Sequence, residues 1–178
     1  MTAIEILRQL FEHMEWADAL VWRSVLASSV ALSDSAVRER LLHIHVVQQG
    51  FLHLWRQQPL PELPQPSHFP DTKHIASWGR EYHESVAAYF AELGETALDD
   101  PLNIPWADQL GIRLGRAPSP VTLAQTMLQV TSHSSHHRGQ VNVRLRELGC
   151  EPPLIDFITW LWLARPSADW GPSARNGV

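Results

Sequence analysis

Apolar residues recur at helical spacing along most of this chain, and the long runs open on helix-capping patterns. That combination constrains the fold more than any other feature. Thr2 with Glu5 makes a capping box, and Ile4, Leu7, Leu10, Phe11 and Met14 follow at steps of three and four. The spacing predicts a first helix over about 3–28. "SDS" at 33–35 offers N-cap residues for a second helix, which carries Leu41, Leu42, Val46, Phe51, Leu52 and Trp55 and runs to about Gln57. "PLPELPQPSHFP" at 59–70 holds five prolines, which lack the backbone N–H a helix interior needs, so it is a loop. Asp71 or Thr72 caps a third helix, about 73–93, which ends near Gly94. Thr122 and Gln125 form another capping box, and the fourth helix runs over about 121–148 and stops at Gly149. After "EPP" a short helix over about 154–164 ends before Pro166.

Residues 95–119 read as irregular, with short extended pieces around Leu102–Trp106 and Gly111–Leu114. No strand alternation persists over a useful length, and no long period repeats. The fold class that follows is all-α: an up-down four-helix bundle with a short additional C-terminal helix. Residues 1–165 form its single domain, and 166–178 form a loosely held tail.

Composition narrows the function. Fourteen basic against 19 acidic residues give a net charge of −5, which argues against a nucleic-acid partner. The single cysteine, Cys150, permits no intrachain disulfide and fits a cytoplasmic location. "MTAIEILRQL" reads as an amphipathic helix rather than a signal peptide, and "FITWLWLA" is too short to span a membrane. There is no G-x-S-x-G elbow and no Gly-rich phosphate loop.

The histidines are the chemical signal. "TSHSSHHRGQ" at 131–140 places His133 and His137 four apart, on one helix face and one turn from each other. Two imidazoles so placed can converge on one cation. His136 lies about 100° away around the helix and points elsewhere. The zincin glutamate of H-E-x-x-H is missing, and the intervening serines serve as spacers. A third ligand comes from "LLHIHVVQQGFLHLW" on the second helix. His43 and His45 both lie on apolar faces, so periodicity does not choose between them, and His53 lies nearer the helix end. Three imidazoles would leave positions open for water or substrate.

These stretches resemble a family. "HSSHHRGQV" followed by "RLRELG" is similar to the H-Q-T-H-H-R-G-Q signature of the DinB-like helical-bundle proteins. "LGCEPPLIDFITWL", "LLHIHVVQQGFLHLW" and "FEHMEWADALVW" resemble its other conserved stretches, in order, over roughly residues 5–165. The resemblance implies a four-helix bundle, a homodimer, and a divalent metal, zinc or nickel, on three histidines. Matched position by position, the ligands are His43, His133 and His137, with His45 the second choice for the first. The sequence departs from the pattern at "QQG", where the family has Asp-Arg-Ile, and at Asp18, where it often has Asn. The family includes thiol-dependent S-transferases and isomerases.

The resulting expectation is a metal-dependent enzyme acting on a small molecule by S-transfer or hydrolysis, with no catalytic side chain assigned beyond the ligands. The rival is a non-catalytic dimeric binding or scaffold protein whose metal is structural or absent. Arg138 reads as a salt-bridge residue, Gln140 as a partner for a ligand imidazole, and Gly139 as a point of close helix approach. Of Glu12, Glu15 and Asp18, at least two face solvent, and His13, His68, His74 and His83 lie on the surface.

Overall fold

Each long helix forms where its cap stands. The computed structural model describes residues 1–171. In it α1 (Ala3–Leu26) begins with both halves of the Thr2–Glu5 capping box in place, Thr2 N–H donating to the Glu5 carboxylate at 2.7 Å. A short α2 (Ser29–Ser33) precedes α3 (Ser35–Trp55), capped by Asp34. The proline loop leads to α4 (Thr72–Glu92), capped by Asp71. Then come α5 (Ala107–Leu114), α6 (Leu123–Glu147) behind the Thr122–Gln125 box, and α7 (Phe157–Trp162). The protein is an all-α helical bundle.

Two local readings fail. Gly111–Leu114, expected to be extended, belongs to α5, which Gly115 closes in the left-handed conformation at φ 67°. The other extended piece is confined to Pro101–Leu102, paired antiparallel with Val121–Thr122. Of the stretch 166–178, expected to be loosely held, residues 172–178 lie outside the described residues. Within the rest, Asp169 pairs with Arg23 at 2.7 Å, and the Trp170 indole donates to Glu15 at 3.3 Å. Among the described residues no helix is long and apolar enough to cross a membrane.

The core has three layers along the bundle axis. One apolar cluster holds Phe11, Met14, Phe51, Trp55, Phe90 and Met127, and another holds Val21, Trp22, Leu41, Ile44, Ile75 and Leu145. On α1, α3 and α6 a polar layer falls between these clusters in sequence, and His83 of α4 joins it. Asp18 is its centre. Its carboxylate accepts from Arg138 Nη1 at 2.7 Å, from His83 Nε2 at 2.9 Å and from Gln48 Nε2 at 2.9 Å. Gln48 Nε2 also donates to Ser134 Oγ at 3.2 Å, and Gln48 Oε1 faces His45 Nδ1 at 2.7 Å. His45 Nε2 accepts from the Trp22 indole at 2.8 Å. An indole nitrogen can only donate, so His45 is neutral with its proton on Nδ1.

Asp18 and His83 are thus buried, against the expectation of a surface position for His83. His13 is buried as well, its Nε2 2.9 Å from the Ile155 carbonyl oxygen. The reason is periodicity. Asp18 lies one turn from Met14, Val21 and Trp22, and His83 one turn from Gly79 and Val86, all on the core face. Their polarity disguised them.

The polar layer is tightly fitted at one point. A Cβ built on Gly79 of α4 would overlap the His45 ring, whereas one on Gly139 of α6 would meet nothing within 4 Å. Gly139 is therefore not the point of close helix approach; Gly79 is. Gly79→Ala should destabilise by about 1–3 kcal/mol through forced repacking. Gly139→Ala, in an exposed helix interior, should stabilise by up to about 1 kcal/mol. Chemical denaturation of both variants checks the contrast.

The layer also sets an acid limit. Burial holds His45 down to about 4, below its ordinary 6.5. Between these values the unfolded chain takes up a proton that the folded one refuses. The contribution is therefore complete above about pH 6.5 and lost as pH falls toward 4, by about 3 kcal/mol at full extent. Burial alone would raise the Asp18 carboxyl, but Arg138 and His83 outweigh it and keep it well below the usual carboxylate range. Its contribution disappears at still lower pH. Unfolding free energy measured from pH 7 to 4 should fall steadily, and His45→Gln should flatten that fall.

Candidate metal centre

The site begins with the register between α3 and α6. Arg144, near the end of α6, holds Asp34, the N-cap of α3, at 2.7 Å. At the opposite end the Trp55 indole donates to Thr126 Oγ1 at 3.0 Å. Gln48–Ser134 ties the middle. As the residue number rises along α3 its partner's number falls along α6, as antiparallel helices require. This register sets His43 of α3 opposite the His133–His137 pair of α6.

The three imidazoles converge. One ligand-capable nitrogen from each of His43, His133 and His137 lies within 4.8 Å of the other two. Ring centroids are 4.9 Å apart for His43–His133, 4.6 Å for His43–His137 and 4.3 Å for His133–His137. Nε2 of His43 is 3.1 Å from Nε2 of His133. Two nitrogens on one tetrahedral zinc at roughly 2.0–2.1 Å would stand about 3.3 Å apart, so this edge fits a shared cation. His43 is exposed and the other two are half-buried, so the cluster opens to solvent.

Neighbouring groups prepare the rings. Gln140 Oε1 lies 2.8 Å from His137 Nδ1, which makes Nδ1 the protonated nitrogen and frees Nε2 as a lone pair. Gln140 Nε2 in turn lies 3.0 Å from His136 Nε2. His136 therefore stands outside the cluster but supports it at one remove. His133 Nδ1 is buried and makes no hydrogen bond among the described residues. Burial, then the neighbouring His137 and His43, lower His133 to about 4. Burial and His137 lower His43 as well. At neutral pH these rings carry lone pairs rather than charge, the state a divalent cation requires.

Several expected candidates are not brought here. His45, the second choice on α3, is committed to Trp22 and Gln48 in the core. His53 faces the Pro59 carbonyl oxygen at 3.0 Å. Arg138 is buried on Asp18, as a salt-bridge residue. Ser134 is more than a spacer, because it is buried and accepts from Gln48. Cys150 lies 3.1 Å from Ser28 Oγ.

The sequence model of the DinB family matches residues 5–171. Among curated proteins none matches the chain.

In the metal-free protein His137 should occupy the tautomer protonated on Nδ1, and Gln140→Leu should abolish that preference. His133 should remain neutral from pH 7 down to about 5, since it titrates only near 4. Long-range nitrogen–proton NMR of the imidazole rings reads both.

Proposed function

The chain belongs to the DinB family, and we propose that His43, His133 and His137 hold a divalent metal ion, zinc or nickel, in an enzyme acting on a small molecule. The observation that carries this reading is the convergence of three imidazoles from two helices around one point open to solvent. When bound, such an ion supplies Lewis acidity, lowering the pKa of a water or a thiol at neutral pH. His133 and His137 grip it from one face of α6, and His43 closes the third side from α3. Gln140 fixes the tautomer and the plane of His137.

The reaction is S-transfer from a low-molecular-weight thiol or, failing that, hydrolysis. The open face beside His43 admits the substrate. A closed structural site would need a fourth protein ligand. Among the described residues no further His, Cys, Asp or Glu joins the three, which favours the enzyme over a scaffold with a structural ion. The protein acts in the cytoplasm as a homodimer. Supporting a dimer face near α7 is its apolar exposure, with Leu154, Ile158 and Leu163 exposed and Trp162 79% accessible.

The test is elemental analysis of the full-length protein and its variants. Wild type should carry about one equivalent of metal per chain, and His43→Ala, His133→Ala and His137→Ala should each lose it. Gln140→Leu should keep the site but weaken it by about 10–100-fold, as removal of a supporting hydrogen bond does elsewhere. Full metal content in all three histidine variants would overturn the site.

A further inference from the structure

The imidazole cluster lies between α3 and α6. On the other side of the bundle α1 and α4 part to leave a second concavity, of about 660 Å³. That is the size of a small-molecule pocket rather than of a packing defect. Its chemistry is lopsided. Arg23 of α1 and Lys73 and Arg80 of α4 line it, with Asp169 as the single lining carboxylate among the described residues. In a chain of net charge −5 this local excess of cations runs against the average.

Arg23 and Lys73 are not consumed by ion pairs. Arg23 meets Asp169 through Nη1 alone at 2.7 Å, which steadies the guanidinium and leaves its other donors. Arg80, by contrast, is already engaged, with Glu84 among its partners at 3.1 Å. Lys73 has no carboxylate partner among the described residues. Trp170 also lines the cavity. The Trp170 indole N–H is tied to Glu15 at 3.3 Å, and its ring lies 5.6 Å from the His83 ring, so the indole is braced. Ala76 and Ser77 of α4 add small side chains to the lining.

We propose that this cavity is a second ligand site, for an organic anion made of a planar ring bearing a carboxylate or phosphate. Arg23 of α1 and Lys73 of α4 supply the charge complement, and the indole supplies the stacking surface. An inorganic anion alone would occupy a small part of the volume and leave the indole unused. The site uses none of the three clustered histidines, so it stands whether or not they hold a metal.

The experiment is a titration of the full-length protein followed by amide and indole NMR. The probes are benzoate, phenyl phosphate, inorganic phosphate and uncharged benzyl alcohol. One or both ring-bearing anions should bind saturably, with a Kd of about 1 mM or tighter. They should shift the Lys73 and Ser77 amides and the Trp170 indole N–H, and leave residues 132–137 in place. Binding by benzoate but not phenyl phosphate, or the reverse, assigns the head group. Arg23→Ala/Lys73→Ala should weaken binding on the order of tenfold or more, and Lys73→Glu should do the same by charge reversal. Both positions are exposed, and thermal melts of the variants should match wild type. The proposal is overturned by no saturation with either ring-bearing anion, or by unchanged affinity in the variants. It is equally overturned by shifts centred on the histidine cluster, or by benzyl alcohol or inorganic phosphate binding as tightly as the ring-bearing anions.

Discussion

A single carboxylate holds the four long helices in relation to one another. Asp18 of α1 takes hydrogen bonds from α3, α4 and α6 at once. Ionised carboxylates are expensive to bury, and this one is 3% accessible. It is tolerable because Arg138 supplies the opposite charge and because every close donor points at it. Replacing only one member would strand the others without water, at a cost of about 3–5 kcal/mol for a broken buried pair. Hydrophobic contact alone would permit α6 to slide or rotate against α3. Directional bonds to Arg138 and Ser134, each next in sequence to a clustered histidine, do not. The geometry at His133 and His137 is thus set from the core side of their own helix.

The histidine cluster is the complement of that layer. In the core the charges are paired, and Asp18 gathers donors from three helices. At the cluster, three imidazoles are brought together with no carboxylate among them. Protonating His133 or His43 is disfavoured by partial burial and by the neighbouring rings. Such a group keeps its lone pairs at neutral pH and has room for a cation, which is the electrostatic condition for ligation. Gln140 adds direction by choosing which nitrogen of His137 stays free.

Helices, caps and the ligand-spaced pair on α6 were legible because each depends on residues close in sequence. The capping boxes at Thr2 and Thr122 both formed as read. His43 against His45 was not legible from periodicity, since both lie on apolar faces. The choice depends on how α3 is rotated against α6, which long-range contacts at Asp34, Gln48 and Trp55 decide. Resemblance pointed to His43, and the register brings His43 to the α6 pair. Asp18 and His83 were hidden for another reason. Helical spacing put both on the core face, but a polar residue there is credible only once its partners on other helices are known. Helix α5 was missed because Gly111 and Gly115 suggested an irregular segment. In fact Gly111 packs against Pro118, and only Gly115 needs a left-handed conformation.

Two departures from the family pattern meet in space. Asp18 stands where Asn is frequent, and Gln48 where Asp is, and the two side chains are hydrogen-bonded at 2.9 Å. The layer holds one negative charge for Arg138 and one amide that bridges helices. The pairing also fixes direction. Trp22 can only donate and Asp18 can only accept, so the chain from indole through His45 and Gln48 to the carboxylate has one consistent set of proton positions. Coupling between distant sites requires an element with two alternative arrangements. A chain of hydrogen bonds whose ends are of fixed and opposite character offers only one. The layer between the α1–α4 cavity and the α3–α6 histidines therefore has a single hydrogen-bonding arrangement, and it holds Ser134 and Arg138 beside the clustered histidines.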